Sequence, residues 1–122
     1  MVRRERTAES MLPLRDLDLW VLLAVEEEPL HGYALLTRVA ERSGGFLQPG
    51  PASLYRSLGE LTAGGLLEEA AGHVEPGHTD ERRRYFRPTK FGRLVLRAEL
   101  RRLSAVLAQA KASGIRYEGG AG

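Results

Sequence analysis

Between Arg82 and Gly92 the chain reads RRRYFRPTKFG, with Arg82, Arg83, Arg84 and Arg87 bunched around Tyr85 and Phe86. Guanidinium groups at this density suit anionic oxygens, although most charge runs are simply solvated faces. A second polar set lies upstream in PASLYRSLGEL, where Ser53, Tyr55, Arg56, Ser57 and Glu60 fall within about two helical turns. Arg56 can donate to guanine O6 and N7, Glu60 can accept from cytosine N4, and the Ser53 and Tyr55 hydroxyls can bond phosphate. A third set is His31, Gly32 and Tyr33, where free N–H groups at a helix start and the Tyr33 hydroxyl could receive a phosphate. The plainer alternative makes His31 a cap and Tyr33 a core aromatic with a wet tip.

The charge distribution adds an electrostatic argument for an anionic partner, while an ordinary solvated face stays equally compatible with the third-helix composition. The net charge is only +2. From Asp16 to Glu81, however, acids outnumber the bases Arg38, Arg42 and Arg56. From Arg82 to Arg102 the bases Arg82, Arg83, Arg84, Arg87, Lys90, Arg93, Arg97, Arg101 and Arg102 stand against Glu99 alone. That stretch is an electrostatic footprint for a polyanion, with a smaller one at Arg3, Arg4 and Arg6.

Other chemistries find little support. The chain has no cysteine, so no disulfide framework or thiolate metal site is available, and a reducing cytoplasm is permitted. His73 and His78 are five residues apart with no further evident ligand, which is weak for metal. No nucleophile motif or phosphate-cradling glycine loop is present, so the reading is non-enzymatic, without cofactor or metal. The longest apolar run, Leu19 to Val25, is far short of a membrane span, and the charged amino end lacks the apolar core of a signal peptide. The expected location is the cytoplasm.

The elements that must position these residues can be read from periodicity and punctuation. Residues 1–11 lack periodicity and are expected to form a flexible basic arm. Asp16 can cap a helix in which Leu17, Trp20, Val21, Ala24 and Val25 recur, ended by Pro29. A second helix carries Tyr33, Leu35, Leu36, Val39 and Ala40 and stops at Gly44-Gly45. A third opens at Pro51, repeats Leu54, Leu58 and Leu61, and ends at Gly64-Gly65. LLEEA and RRRYFRP are strand candidates joined by a polar, turn-rich segment, and Thr89 caps a last helix from Lys90 to about Ala112. The glycine-rich residues 113–122 form a tail.

Three helices, a two-stranded ribbon and a further helix make a mainly helical α+β fold, the winged helix-turn-helix plan. In it the third helix enters the major groove of double-stranded DNA. With Leu54 facing the core, Ser53, Arg56 and Glu60 lie on the far side, Tyr55 on one flank, and Ser57 nearer the other core edge.

The final helix shows two apolar stripes. Phe91, Leu94, Val95 and Ala98 form one, expected to face the protein's own core. Leu96, Leu100, Leu103, Leu107 and Ala110 form the other, at the four-three spacing of a coiled-coil seam, and point to a homodimer. The alternative folds both stripes back on one domain. The expected organisation is therefore an arm over 1–11, a winged-helix DNA-binding domain over 12–88, a dimerisation helix over 89–112 and a tail.

The segments PLHGYALLTRVAERSGG, GPASLYRSLGELTAGGLL and RRRYFRPTKFGRLVL, in that order, resemble the PadR family of bacterial transcriptional regulators. The resemblance runs from about Leu17 to Leu96. It implies a winged-helix dimer, usually a repressor released from DNA by a small, often aromatic, effector. The chain departs from the family pattern at Ala52, Arg56, Gly59 and Glu60, so the preferred DNA site cannot be borrowed. In the family-like arrangement one aromatic of RRRYFRP anchors the ribbon while the arginines approach phosphates. Trp20, the only tryptophan, is a candidate to line an effector pocket, although a lone tryptophan on an apolar face is more often core. The competing reading is a winged-helix module that binds an acidic protein instead of DNA.

Overall fold

The computed structural model describes residues 6–70 and 84–117. Its elements are α1 (Asp16–Glu27), β1 (Leu30–His31), α2 (Gly32–Arg42), α3 (Pro51–Ala63), β2 (Leu67–Glu69), β3 (Tyr85–Pro88) and α4 (Lys90–Ala112). Local chemistry sets most of the helix starts. Pro51 occupies the first turn of α3, where its missing N–H costs no hydrogen bond. His31 Nδ1 accepts from the Ala34 N–H at 3.0 Å and so caps α2. Thr89 Oγ1 accepts from the Gly92 N–H at 2.9 Å and donates to the Gly65 carbonyl at 2.5 Å, tying the start of α4 to the exit of α3. Asp16, expected as a cap, is instead the first residue of α1. Arg15 holds the cap position without a side-chain bond.

The sheet has three strands in the order β1-β3-β2, all antiparallel, rather than the expected two. Leu30 pairs with Phe86 and His31 with Tyr85 on one side of β3, while Glu68 pairs with Arg87 on the other. With β3 central, both of its aromatics are buried. Phe86 joins the main core, and Tyr85 meets the His31 ring edge-on at 5.2 Å. The core is built from α1, α2, α3 and the first half of α4, with Leu22, Leu35, Leu54, Leu58, Leu66 and Val95 fully enclosed.

Helix α4 turns Phe91, Val95 and Ala98 to the core as expected, and corrects the placement of Leu94 and Leu96. Leu96 is 5 % exposed and belongs to the chain's own core, whereas Leu94 is 45 % exposed. At about 100° per residue, Leu96 shares a face with Gly92, Val95 and Glu99, and Leu94 lies outside it. Leu103, Val106, Leu107 and Ala110 continue that same face beyond the domain. Leu107 is 47 % exposed and Leu103 half-buried. The helix thus carries one main stripe that changes surroundings halfway along.

Residues 6–11, within the stretch expected to be a flexible arm, are docked together with the segment that leads into α1. A 3-10 turn spans Glu9–Met11, Ala8, Met11, Leu12 and Leu14 pack against the core, and the Arg6 guanidinium lies 4.5 Å from the Phe91 ring centre. The Leu14 N–H donates to Glu99 Oε2 at 2.6 Å, and Arg102 donates to Glu99 Oε1. Burial alone would raise the Glu99 pKa. The Arg102 and Leu14 hydrogen bonds outweigh it and hold the carboxyl below its ordinary value.

Candidate nucleic-acid interface

The outer surface of α3 is the centre of the candidate site. Leu54, Ser57, Leu58 and Leu61 are buried, which leaves Ala52, Arg56, Gly59 and Ala63 pointing most directly away from the core. Ser53 and Glu60 flank this strip on the side of α1, and Tyr55 and Thr62 on the side of the sheet. All of these are exposed. Ser57 leaves the expected contact set because it is 4 % exposed and its hydroxyl donates to Asp18 Oδ1 at 2.5 Å. The bond satisfies a carboxylate that is itself only 8 % exposed, so the residue pins α3 to α1.

Tyr55 is half exposed, and its ring lies over the start of α2. A Cβ on Gly32 would stand 2.8 Å from the Tyr55 ring and hydroxyl, so the glycine admits the ring. Tyr33, whose side of the helix the sequence left open, projects into solvent at 75 % exposure beside the same turn. Beyond Tyr55 a groove of about 740 Å³ separates α3 from the sheet, with Thr62, Glu69, Arg84 and Phe86 among its lining. Trp20 is half-buried against the core and does not line this groove.

Charge pairing sorts the cations. Arg84 Nε lies 3.4 Å from Glu69 Oε1, and Arg87 Nε lies 3.3 Å from Glu68 Oε1 across the β2–β3 ladder. Arg38 and Arg42 are held by Glu27 and Glu28, and Arg93 by Glu26. Arg15 bonds Glu60 and sits 3.6 Å from Asp18 Oδ2; the Glu60 bond and the nearby Asp18 charge raise its pKa above the ordinary value. Arg56, by contrast, has no ion-pair partner among the described residues, and neither have Lys90, Arg97 and Arg101. Arg82 and Arg83 lie outside the described residues, as do His73 and His78. Sequence reasoning missed Arg15, which precedes α1 and reaches α3 only through the tertiary fold.

No cluster of potential metal ligands occurs among the described residues, and no helix among them is long and apolar enough to cross a membrane.

Comparison with known proteins agrees with this architecture. No curated protein matches the sequence. Among solved structures, a PadR family transcription regulator from Clostridium difficile is 17 % identical at a TM-score of 0.66, covering 79 % of this chain and 95 % of that one. Bacillus subtilis PadR, solved in complex with operator DNA, is 23 % identical at a TM-score of 0.61, over 72 % of this chain and 48 % of that one. A conserved protein of unknown function, described as a potential transcriptional factor, is 31 % identical at a TM-score of 0.62 over 92 % of both chains. The fold is thus the winged helix of these regulators. The model of the transcriptional regulator PadR-like family, a family of regulators and not of enzymes, matches residues 21–98, more than half of the sequence, and the chain belongs to that family.

Proposed function

We propose that the protein is a DNA-binding transcriptional regulator that acts as a homodimer in the cytoplasm, with α3 as its reading helix. Residues 12–88 form the DNA-binding unit and 89–112 the dimerisation helix. The observation that carries the proposal is the outer strip of α3. A single unpaired guanidinium, Arg56, stands among the small residues Ala52, Gly59 and Ala63, so the helix backbone can approach a groove floor closely while one long side chain reads it. Ser53, Tyr55, Tyr33, Arg84 and Arg87 are exposed around it and supply phosphate contacts. Arg84 and Arg87 exchange Glu69 and Glu68 for phosphate on binding. Arg82 and Arg83 extend this set.

The exposed C-terminal part of α4 supports the dimer. Leu100, Leu103 and Leu107 meet the same residues of a second copy and set two reading helices at a fixed spacing. Leu96 has no part in that interface. As the resemblance to PadR regulators implies, the protein represses and is released from DNA by a small aromatic or hydrophobic effector bound near Trp20.

A salt titration against random duplex DNA tests the central claim. Expected is binding whose logarithm falls linearly with the logarithm of salt concentration. A winged-helix module that contacts only proteins would show no duplex binding at low salt. Selection from random DNA should then return paired half-sites related by twofold symmetry, about one helical turn or a multiple of it apart.

A further inference from the structure

Arg56 and Glu60 are four residues apart on one face of α3, the spacing at which opposite charges pair along a helix. They do not pair. Glu60 is taken by Arg15, from outside the helix, and Arg56 is left without a partner among the described residues. Arg15 is well placed for this. It occupies the cap position of α1 with extended backbone, and its Nε lies 3.6 Å from Asp18 Oδ2, whose other oxygen accepts from Ser57 on α3. The first turn of α1 therefore grips α3 at two successive points, Ser57 in the interior and Glu60 at the surface. Arg15 and Glu60 are both largely exposed, with side chains 68 % and 47 % accessible. The bond between them does little to hold the fold together. Its consequence lies in what Glu60 is prevented from doing.

We infer that Arg15 is a positioning residue for DNA reading: by holding Glu60 it keeps the Arg56 guanidinium free for a guanine edge and offsets a carboxylate that would otherwise repel the phosphates. The inference rests on the proposal that α3 enters the major groove. Without Arg15, Glu60 competes for Arg56, so one rearrangement weakens the reading side chain and leaves the surface less positive.

The test uses the full chain and four variants, with base preference measured by selection from random duplexes and affinity measured on one random duplex. Arg56→Ala first identifies the position in the half-site that Arg56 reads. Arg15→Gln should lose about twofold of the preference at that same position and weaken random-duplex binding about tenfold, with the thermal midpoint moved by no more than about 3 °C. Glu60→Gln in the Arg15→Gln background should restore the lost preference, because the competing carboxylate is gone. Glu60→Gln alone should leave the Arg56 position intact. The inference is overturned if Arg15→Gln keeps full preference at that position, if it loses preference elsewhere instead, or if the double variant fails to regain it. Failure of the underlying proposal looks different: the unaltered chain would then show no salt-dependent duplex binding at all.

Discussion

Two helical glycines, Gly92 in α4 and Gly59 in α3, have opposite explanations. A Cβ on Gly92 would stand 2.1 Å from the Leu66 carbonyl oxygen, so α4 can cross the exit of α3 only if residue 92 has no side chain. A Cβ on Gly59 would meet nothing within 4 Å, and its φ is not positive. Glycine within a helix costs about 1 kcal/mol relative to alanine. The protomer recovers that cost at residue 92 and has no internal use for it at residue 59. The contrast separates features that the fold explains from features that point outward. The same division applies to Leu96 against Leu107 on one helix, and to Arg87 against Arg56.

The largest effect should come from breaking the inward side of the comparison. Gly92→Ala places an atom against backbone that cannot rotate away, and the expected loss is about 3 kcal/mol in chemical denaturation. Unfolding like the parent would mean that α4 does not cross Leu66 at contact distance. Next comes Leu107→Asp. The residue is exposed in the protomer, so the thermal midpoint at high dilution should hold. Self-association in sedimentation should weaken by about 2 kcal/mol, roughly thirtyfold. The same change at Leu96 should unfold the domain instead.

A third prediction concerns Glu99, which sits where α4 leaves the core and is held by Arg102 and the Leu14 N–H. Its folded pKa is depressed below the ordinary 4.5, so its contribution is fully present above that pH and is lost as pH falls through the lower folded value. Glu99→Gln should cost about 1.5 kcal/mol at pH 7. It should also narrow the stability difference between pH 7 and pH 3. Equal losses at both pH values would show that the carboxylate's charge contributes nothing.

How much was legible beforehand follows from the range of the interactions. Helices α2, α3 and α4 were readable because their signals are local: Pro51, Thr89 and the glycine pairs act within a few residues. Strand β1 was not, since two residues after Pro29 carry no period and are defined only by pairing with Tyr85 and Phe86. Ser57 reads as a DNA contact at the edge of the core because Asp18, its partner, lies 39 residues away. On α4 spacing identifies Phe91, Val95 and Ala98 as core residues but misplaces Leu94 and Leu96, because the face that carries Leu96 is buried in the first half of the helix and exposed in the second. On α3 the residue types of the outer surface were visible, but not which cations were already engaged. Arg56 looked no different from Arg84 until the Glu69 pairing of the latter was on view.

The smallest change is the most discriminating. Gly59→Ala fills open space in a well-formed helix turn and improves helix propensity, so the isolated protein should gain about 1 kcal/mol in denaturant unfolding. If α3 sits against a groove floor, the added methyl meets a base edge or sugar and duplex affinity should drop about tenfold, even as the fold becomes more stable. A stabilising substitution that weakens binding cannot be attributed to damage, which makes this pair of measurements stronger than the loss of a contact residue. Should affinity remain unchanged while stability rises, Gly59 is not at the contact surface. The reading face would then have to turn toward the Ser53–Glu60 flank, where Arg15 stands. Should stability fall, residue 59 is packed against a neighbour, and the contrast with Gly92 disappears.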